Sequence, residues 1–202
     1  MVKIKFNKEE STHVFFTSDT HFFHKNIIRF CHRPFNSVEE MNEKLIENWN
    51  SVVGPDDYIF HLGDFSFAGS DKLKDLLSKL NGHIYLIKGN HDRMSKGMES
   101  LFYYTSYEMF IEVDKVKIYL NHYPFLTYTG AYKKNVIQLF GHIHNNKGDR
   151  YKLLLSTQYN VGVDVNNFTP VSWSQLKDII DKQNNKINKF KRWIIRIMLK
   201  IL

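Results

Sequence analysis

Short apolar runs, each followed by a polar loop and then an amphipathic stretch, recur through the first half of the chain. The run from His13 to Ser18 is short and rich in β-formers, which predicts a buried strand ending at Asp19. Ser37 and Glu40 form a capping-box pattern ahead of Met41, Leu45, Ile46 and Trp49 at helical spacing, and Gly54-Pro55 stops that helix. A second strand, Asp57 to Leu62, ends at Gly63-Asp64, and a second helix begins at Ser70 with Leu73, Leu76, Leu77 and Leu80 on one face. Beyond the turn at Asn81-Gly82, a third strand from His83 to Lys88 ends at Gly89-Asn90-His91-Asp92. The second half is richer in strands. Tyr107 to Val113 and Val116 to Leu120 flank Asp114-Lys115 as a hairpin, and Val136 to Phe140 leads into Gly141-His142-Ile143-His144. Strands near Tyr151 to Leu155 and Tyr159 to Val163 precede a helix over 172–183. The alternation predicts an α/β fold, a two-sheet β-sandwich flanked by helices.

The pattern changes at Asn184-Asn185, which reads as a break between one domain over 1–183 and a basic amphipathic C-terminal helix over 184–202. Ile187, Phe190, Trp193, Ile194, Ile197, Met198 and Ile201 recur at three and four, and cations fill much of the remainder. The net charge of +7 belongs to this tail: residues 182–202 hold seven Lys and Arg and no acid, which leaves 21 basic against 21 acidic residues before it. A balanced body disfavours a groove for long nucleic acid. The tail suits weak attachment to an anionic membrane through residues 186–202, and equally docking on the domain or pairing in a dimer. Hydrophobic residues at 43% and aromatics at 15% indicate a folded core. The single cysteine, Cys31, excludes a disulfide framework or thiolate cluster and fits a reducing compartment. No apolar run spans a membrane and the N-terminus does not read as a signal peptide, so the expected location is cytoplasmic, possible membrane association being peripheral.

Chemistry-bearing residues gather just past the predicted strands: Asp19-x-His21, Gly63-Asp64, Gly89-Asn90-His91-Asp92, His122 and Gly141-His142-x-His144. Each motif alone is weak, but joint occurrence in one order is improbable by chance. Neutral imidazoles with a few anionic oxygens suit a pair of divalent cations, because they leave positive charge available to act on substrate. In an extended segment, Asp-x-His and His-x-His would each point two side chains to one side. The glycines at 63, 89 and 141 would permit tight turns.

This set resembles the calcineurin-like metallophosphoesterase superfamily. Ser18-Asp-Thr-His-Phe-Phe-His-Lys-Asn-Ile-Ile28 and Asn160-Val-Gly-Val-Asp-Val165 further resemble a group of small bacterial and phage phosphoesterases. The resemblance implies that Asp19, His21 and His144 hold one metal, that Asn90, His122 and His142 hold a second, and that Asp64 bridges them. It further implies hydrolysis of a phosphodiester or phosphomonoester by a hydroxide bridging two divalent transition ions, Mn²⁺ foremost, with Fe or Zn²⁺ also suitable. His91 would bind the phosphoryl group or protonate the leaving oxygen, and Asp92 could orient it. Ser/Thr protein phosphatases carry an Asp three residues after Gly-Asp, where this chain has Phe67, which counts against a phosphoprotein substrate. A small phosphoester or nucleotide is the expected substrate.

His24 and Arg33 are candidates to meet substrate phosphate, against the simpler reading of polar loop residues. His61 reads as a brace behind the site, and His13, His32 and His83 as ordinary structural residues. Asn26 and Tyr123 lie close to motif residues without a distinguishing signal. Phe22, Phe23, Phe35, Phe65 and Phe67 default to core. Two alternatives stand beside the phosphoesterase: a nuclease or cyclic-nucleotide phosphodiesterase of the same fold, and a catalytically silent metal-binding interaction module like the retromer-type relatives. Retention of His91 and of every ligand position weighs against the second.

Overall fold

The computed structural model describes residues 3–145 and 154–185 of the 202-residue chain. Among these residues, ten strands form two five-stranded sheets. One contains β1 (Lys3–Phe6), β6 (Glu108–Val113), β7 (Val116–Asn121), β8 (Val136–Phe140) and β9 (Gln158–Asn160), in that order. The other runs β10 (Val171–Ser172), β2 (Val14–Thr17), β3 (Tyr58–His61), β4 (His83–Ile87), β5 (Tyr104–Ser106). Strands β2 to β5 are mutually parallel, as are β7 to β9, so each sheet presents several carboxyl ends at one edge.

Alternation along β2 shows why the sheets pack face to face. Val14 and Phe16 enter a core with Phe60, Leu62 and Ile87 and with Ile111, Ile118, Leu120, Ile137 and Leu139 of the opposing sheet. Phe15 points the other way, into a second core with Ile59, Ile84 and Leu86. That outer core is covered by α2 (Val38–Val52) through Met41, Leu45 and Trp49, and by α3 (Ser70–Leu77) through Leu73 and Leu76. Both faces of the sheet are therefore buried, which accounts for its continuous apolar strands. Ser37 caps α2 by accepting from Glu40 N at 3.1 Å, while the Glu40 carboxylate reaches Asn36 N at 2.7 Å rather than closing the usual reciprocal bond.

The expected hairpin is β6–β7, with Asp114 and Lys115 at φ of 46° and 67° in its tight turn. Several boundaries shift. The strand expected from His13, β2, starts at Val14, His13 closing a short 3-10 turn, and α3 ends at Leu77 before Leu80. Tyr159 lies in β9 but Val163 opens a 3-10 turn, Val163–Val165. Of the strand expected near Tyr151 to Leu155, Leu154 and Leu155 are not in a strand and the remainder lies outside the described residues. The final described helix, α5, covers 173–185 and so extends past the expected end at Gln183 through Asn184 and Asn185. The short helices α1 (Lys25–Phe30) and α4 (Lys96–Glu99), together with β1, β5 and β10, carry too little periodicity to be foreseen. The basic stripe over 186–202 lies outside the described residues, among which no helix is long and apolar enough to cross a membrane.

Candidate metal centre

The strand ends deliver the motif residues to one place. Asp19 and His21 follow β2, Asp64 follows β3 and Asn90 follows β4; His122, His142 and His144 follow β7 and β8 of the other sheet. Asp64 Oδ2 lies 3.6 Å from His21 Nε2 and 3.5 Å from His122 Nε2, so its carboxylate stands between imidazoles from the two sheets. His122 Nε2 is 3.1 Å from Asn90 Oδ1, and its ring centroid is 5.0 Å from that of His142. The His21 and His144 rings stack at 5.2 Å. Donor atoms of Asp19, His21 and His144 lie within 4.8 Å of one another, as do those of Asp19, Asp64 and His122. All seven expected ligands thus converge.

The local route differs from the extended segments expected. Asp19, His21, Asp64, His142 and His144 all adopt left-handed backbone, with φ between 49° and 69°. Non-glycine residues occupy that region at a cost and persist there where surrounding bonds fix them, typically at functional sites. Those bonds are present. Asp19 N donates to Gly63 O at 2.9 Å, His21 N to Asp64 O at 3.0 Å, and His142 N to the Asp19 carboxylate at 2.9 and 3.0 Å. Only Gly63, at φ 97°, serves by backbone freedom. Gly89 and Gly141 serve by size: a Cβ at Gly89 would overlap Asp64 Oδ1, and one at Gly141 would overlap Ser18 Oγ and Asp19 Oδ2.

Electrostatics also fit cations. His21 Nε2 is buried without a hydrogen-bond partner, beside a carboxylate oxygen. Burial pushes the His21 pKa down to about 2, leaving a neutral imidazole with a free lone pair. His122 Nδ1 donates to Leu62 O at 2.7 Å, which directs the other nitrogen at Asn90 Oδ1 and Asp64 Oδ2. In the neutral tautomer, three acceptors then face each other, an arrangement that needs a proton or a metal between them. Accordingly, the Asp64 hydrogen bond and nearby carboxylates outweigh burial and raise the His122 pKa. Burial alone would raise the Asp64 pKa, but His122, the His91 N–H and His21 hold it below the ordinary carboxylate range. Burial pushes Asp19 up to about 6, and burial lowers His142. His144 is raised to about 10: burial opposes this, but Asp164, with Nδ1 to Oδ2 at 2.7 Å, overrides it. A neutral buried donor, facing acceptors and a carboxylate set between imidazoles of both sheets fit divalent cations.

Two expected roles change. Arg33 does not reach the cleft: its side chain is 0% exposed, paired with Asp164 through Nε at 2.8 Å and Nη2 at 2.9 Å and donating to the Asp19 and Thr20 carbonyls. Asp92 does not orient His91. Its buried carboxylate accepts from Asp64 N at 2.7 Å, Gly89 N at 2.8 Å and Phe65 N at 2.9 Å, tying the loops after β3 and β4 together. Burial pushes this carboxyl upward, against those three donors.

His91 is exposed, its ring 5.6 Å from His21 and 5.4 Å from Phe67. His24 sits half-buried at the rim, stacked on Phe67 at 4.1 Å. Phe67 is 45% exposed and walls that end of the site rather than joining the core; Phe22 and Phe65 are fully buried, and Phe23 and Phe35 partly so. His61 is a brace, holding Thr20 Oγ1 at 2.9 Å, and burial depresses its pKa to about 3. Tyr123 proves to be part of the site: its ring packs on His142 at 4.7 Å and its hydroxyl donates to Asn90 Oδ1 at 3.4 Å. Asp164 is the residue sequence reading missed. It lies in the Asn160–Val165 segment that carries the family resemblance, as an acid embedded in otherwise apolar Val161-Gly-Val-Asp-Val165, but the resemblance assigns that segment no role.

The chain belongs to the calcineurin-like phosphoesterase family, whose model matches residues 12–196. At a coarse level it is therefore a metal-dependent phosphoesterase. It is 38% identical over 173 residues to an uncharacterized protein of Methanocaldococcus jannaschii, MJ1445, covering 84% of this chain and 92% of that one. It is 39% identical over 85 residues to the Gene 66 protein of Mycobacterium phage L5, covering 40% of each. The crystal structure of AQ665 from Aquifex aeolicus, a protein of unknown function, superposes with a TM-score of 0.66 at 26% identity, covering 82% of this chain and 98% of that one.

Proposed function

We propose that this protein hydrolyses small phosphoesters at a centre of two divalent transition ions, Mn²⁺ foremost, with Fe or Zn²⁺ also suited to the donors. Asp19, His21 and His144 would hold one ion, Asn90, His122 and His142 the other, and Asp64 both. The observation that carries this reading is the Asp64 carboxylate within 3.6 Å of one imidazole from each sheet. When bound, such ions supply Lewis-acid charge for phosphoryl oxygens and activate water as the nucleophile. The protein's own groups do the rest. His91, exposed at the mouth with its ring beside His21, is placed to protonate the leaving oxygen. His24 is placed to hydrogen-bond a phosphoryl oxygen from the rim. Phe67 and Tyr123, 45% and 43% exposed, give the ester's leaving group apolar walls. A small organic or nucleotide ester suits these walls better than a long polynucleotide, given the balanced charge of residues 1–181.

Hydrolysis of nitrophenyl phosphate and bis(nitrophenyl) phosphate, measured after chelation and again after Mn²⁺ is restored, tests this reading. Activity is expected to vanish and return, and the ratio of the two rates assigns monoester or diester preference. Undiminished turnover in the stripped protein would refute it. The basic stripe over 186–202 supports a further reading, weak attachment to an anionic membrane. Equal cosedimentation of the full chain and a 1–185 truncation with anionic vesicles would end that one.

A further inference from the structure

The segment Asn160-Val-Gly-Val-Asp164 has no part in the reaction as described, yet it wraps half of the centre. Asn160 Nδ2 donates to the His144 carbonyl at 3.0 Å, and Asp164 Oδ2 meets His144 Nδ1 at 2.7 Å, so one short segment grips both the backbone and the ring of His144. Val163 N donates to Ser18 O at 3.0 Å, next to Asp19. A Cβ at Gly162 would crowd Asp19 Oδ2 at 3.1 Å. Arg33 completes the cradle. It pairs with both Asp164 oxygens and donates to Asp19 O at 2.7 Å and Thr20 O at 2.9 Å, with the two side chains 0% and 2% exposed.

A buried ion pair is a poor source of stability, because the desolvation of both charges offsets their attraction. This pair has a better explanation. A carboxylate facing Nδ1 makes that nitrogen the protonated one and leaves Nε2 as the lone-pair donor, and carboxylates behind ligating histidines work this way. The guanidinium holds the carboxylate in register and fixes the Asp19 backbone at the same time. We infer that Asp164 and Arg33 are positioning residues that orient His144 and Asp19 together, so that one half of the two-metal centre depends on them and the other half does not. The inference rests on the metal reading above.

Two measurements separate the inference from that reading. In the metal-free protein, long-range ¹H–¹⁵N NMR followed through the loss of the imidazolium proton should show the neutral His144 ring keeping its proton at Nδ1, and Asp164→Asn should lose that preference. In calorimetric Mn²⁺ titrations the wild type should bind two ions. Asp164→Asn should keep one at wild-type affinity and bind the other 10- to 100-fold more weakly. His144→Ala should weaken the same ion, and Asn90→Ala the other. If removing one charge prevents folding, the double variant Arg33→Met/Asp164→Asn, which buries no unpaired charge, should fold and show the same single weakened ion. A neutral His144 ring in the wild type that keeps its proton at Nε2 rather than Nδ1, or two unweakened ions in folded Asp164→Asn, would overturn the inference. A wild type that binds no metal, yet carries the Nδ1 proton, would sink the metal reading and with it the dependence claimed here.

Discussion

Removing the Asp92 carboxylate should loosen the loops after β3 and β4 and cost stability first, activity second. Asp92 is 8% exposed, and its two oxygens accept three backbone N–H groups. Asp92→Ala leaves those three donors facing inward without an acceptor. At about 1–2 kcal/mol per stranded donor, the loss is about 3–6 kcal/mol. That is a large share of the roughly 5–15 kcal/mol holding a domain together. Asp92→Asn is the informative partner. Its single oxygen can replace Oδ2 and keep the Asp64 and Gly89 bonds, while its amide opposes Phe65 N; one bond of three is lost, costing about 1–2 kcal/mol. Urea unfolding of the chelated proteins reads both values directly. Were Asp92 instead the orienter of His91, as the sequence suggests, both variants would unfold like wild type and turn over slowly. Wild-type stability in Asp92→Ala would refute the clamp.

Three further outcomes follow. His91→Ala should leave metal content unchanged and lower kcat by about 10²–10⁴-fold, the usual scale for a lost proton donor, by metal analysis and steady-state kinetics. Gly141→Ala should strip metal affinity, because the added methyl overlaps Ser18 Oγ and Asp19 Oδ2; an unchanged Mn²⁺ titration would contradict the packing. In the metal-free protein, His144 holds its proton up to about 10, against about 6.5 when unfolded, so the folded state gains stability that is complete below the lower value and lost as pH rises through the upper. Urea unfolding of chelated protein should therefore weaken between pH 7 and 10. Because that proton must leave for His144 to ligate, Mn²⁺ affinity should rise over the same interval, and a flat affinity would count against the assignment.

The seven residues that converge were readable because residue type, order and position after a strand all agree, and none of these depends on side-chain direction. The helices α2 and α3 were readable for a related reason: Met41, Leu45 and Trp49, and Leu73 and Leu76, repeat at the helical period and do enter the outer core. What one residue faces is not encoded that way. Arg33 looked like a phosphate ligand because cations near a phosphate site often are, but its partner Asp164 lies 131 residues further on, and only folding reveals the pairing. Asp92 failed similarly, since its partners are backbone N–H donors that sequence does not distinguish. Left-handed backbone at Asp19, His21 and His144 was also hidden. Asp and His carry no glycine-like signature, and the bonds from neighbouring loops enforce the conformation.

The central claim is that Asp64 joins two cations held by side chains of both sheets. Metal content per chain, measured by elemental analysis after exhaustive dialysis of Mn²⁺-loaded wild type and Asp64→Ala, tests it most directly. The account predicts two equivalents in the wild type and a clear loss, with abolished ester hydrolysis, in the variant. A wild type that retains no metal while hydrolysing esters, or an Asp64→Ala protein that keeps both ions and full activity, would contradict it.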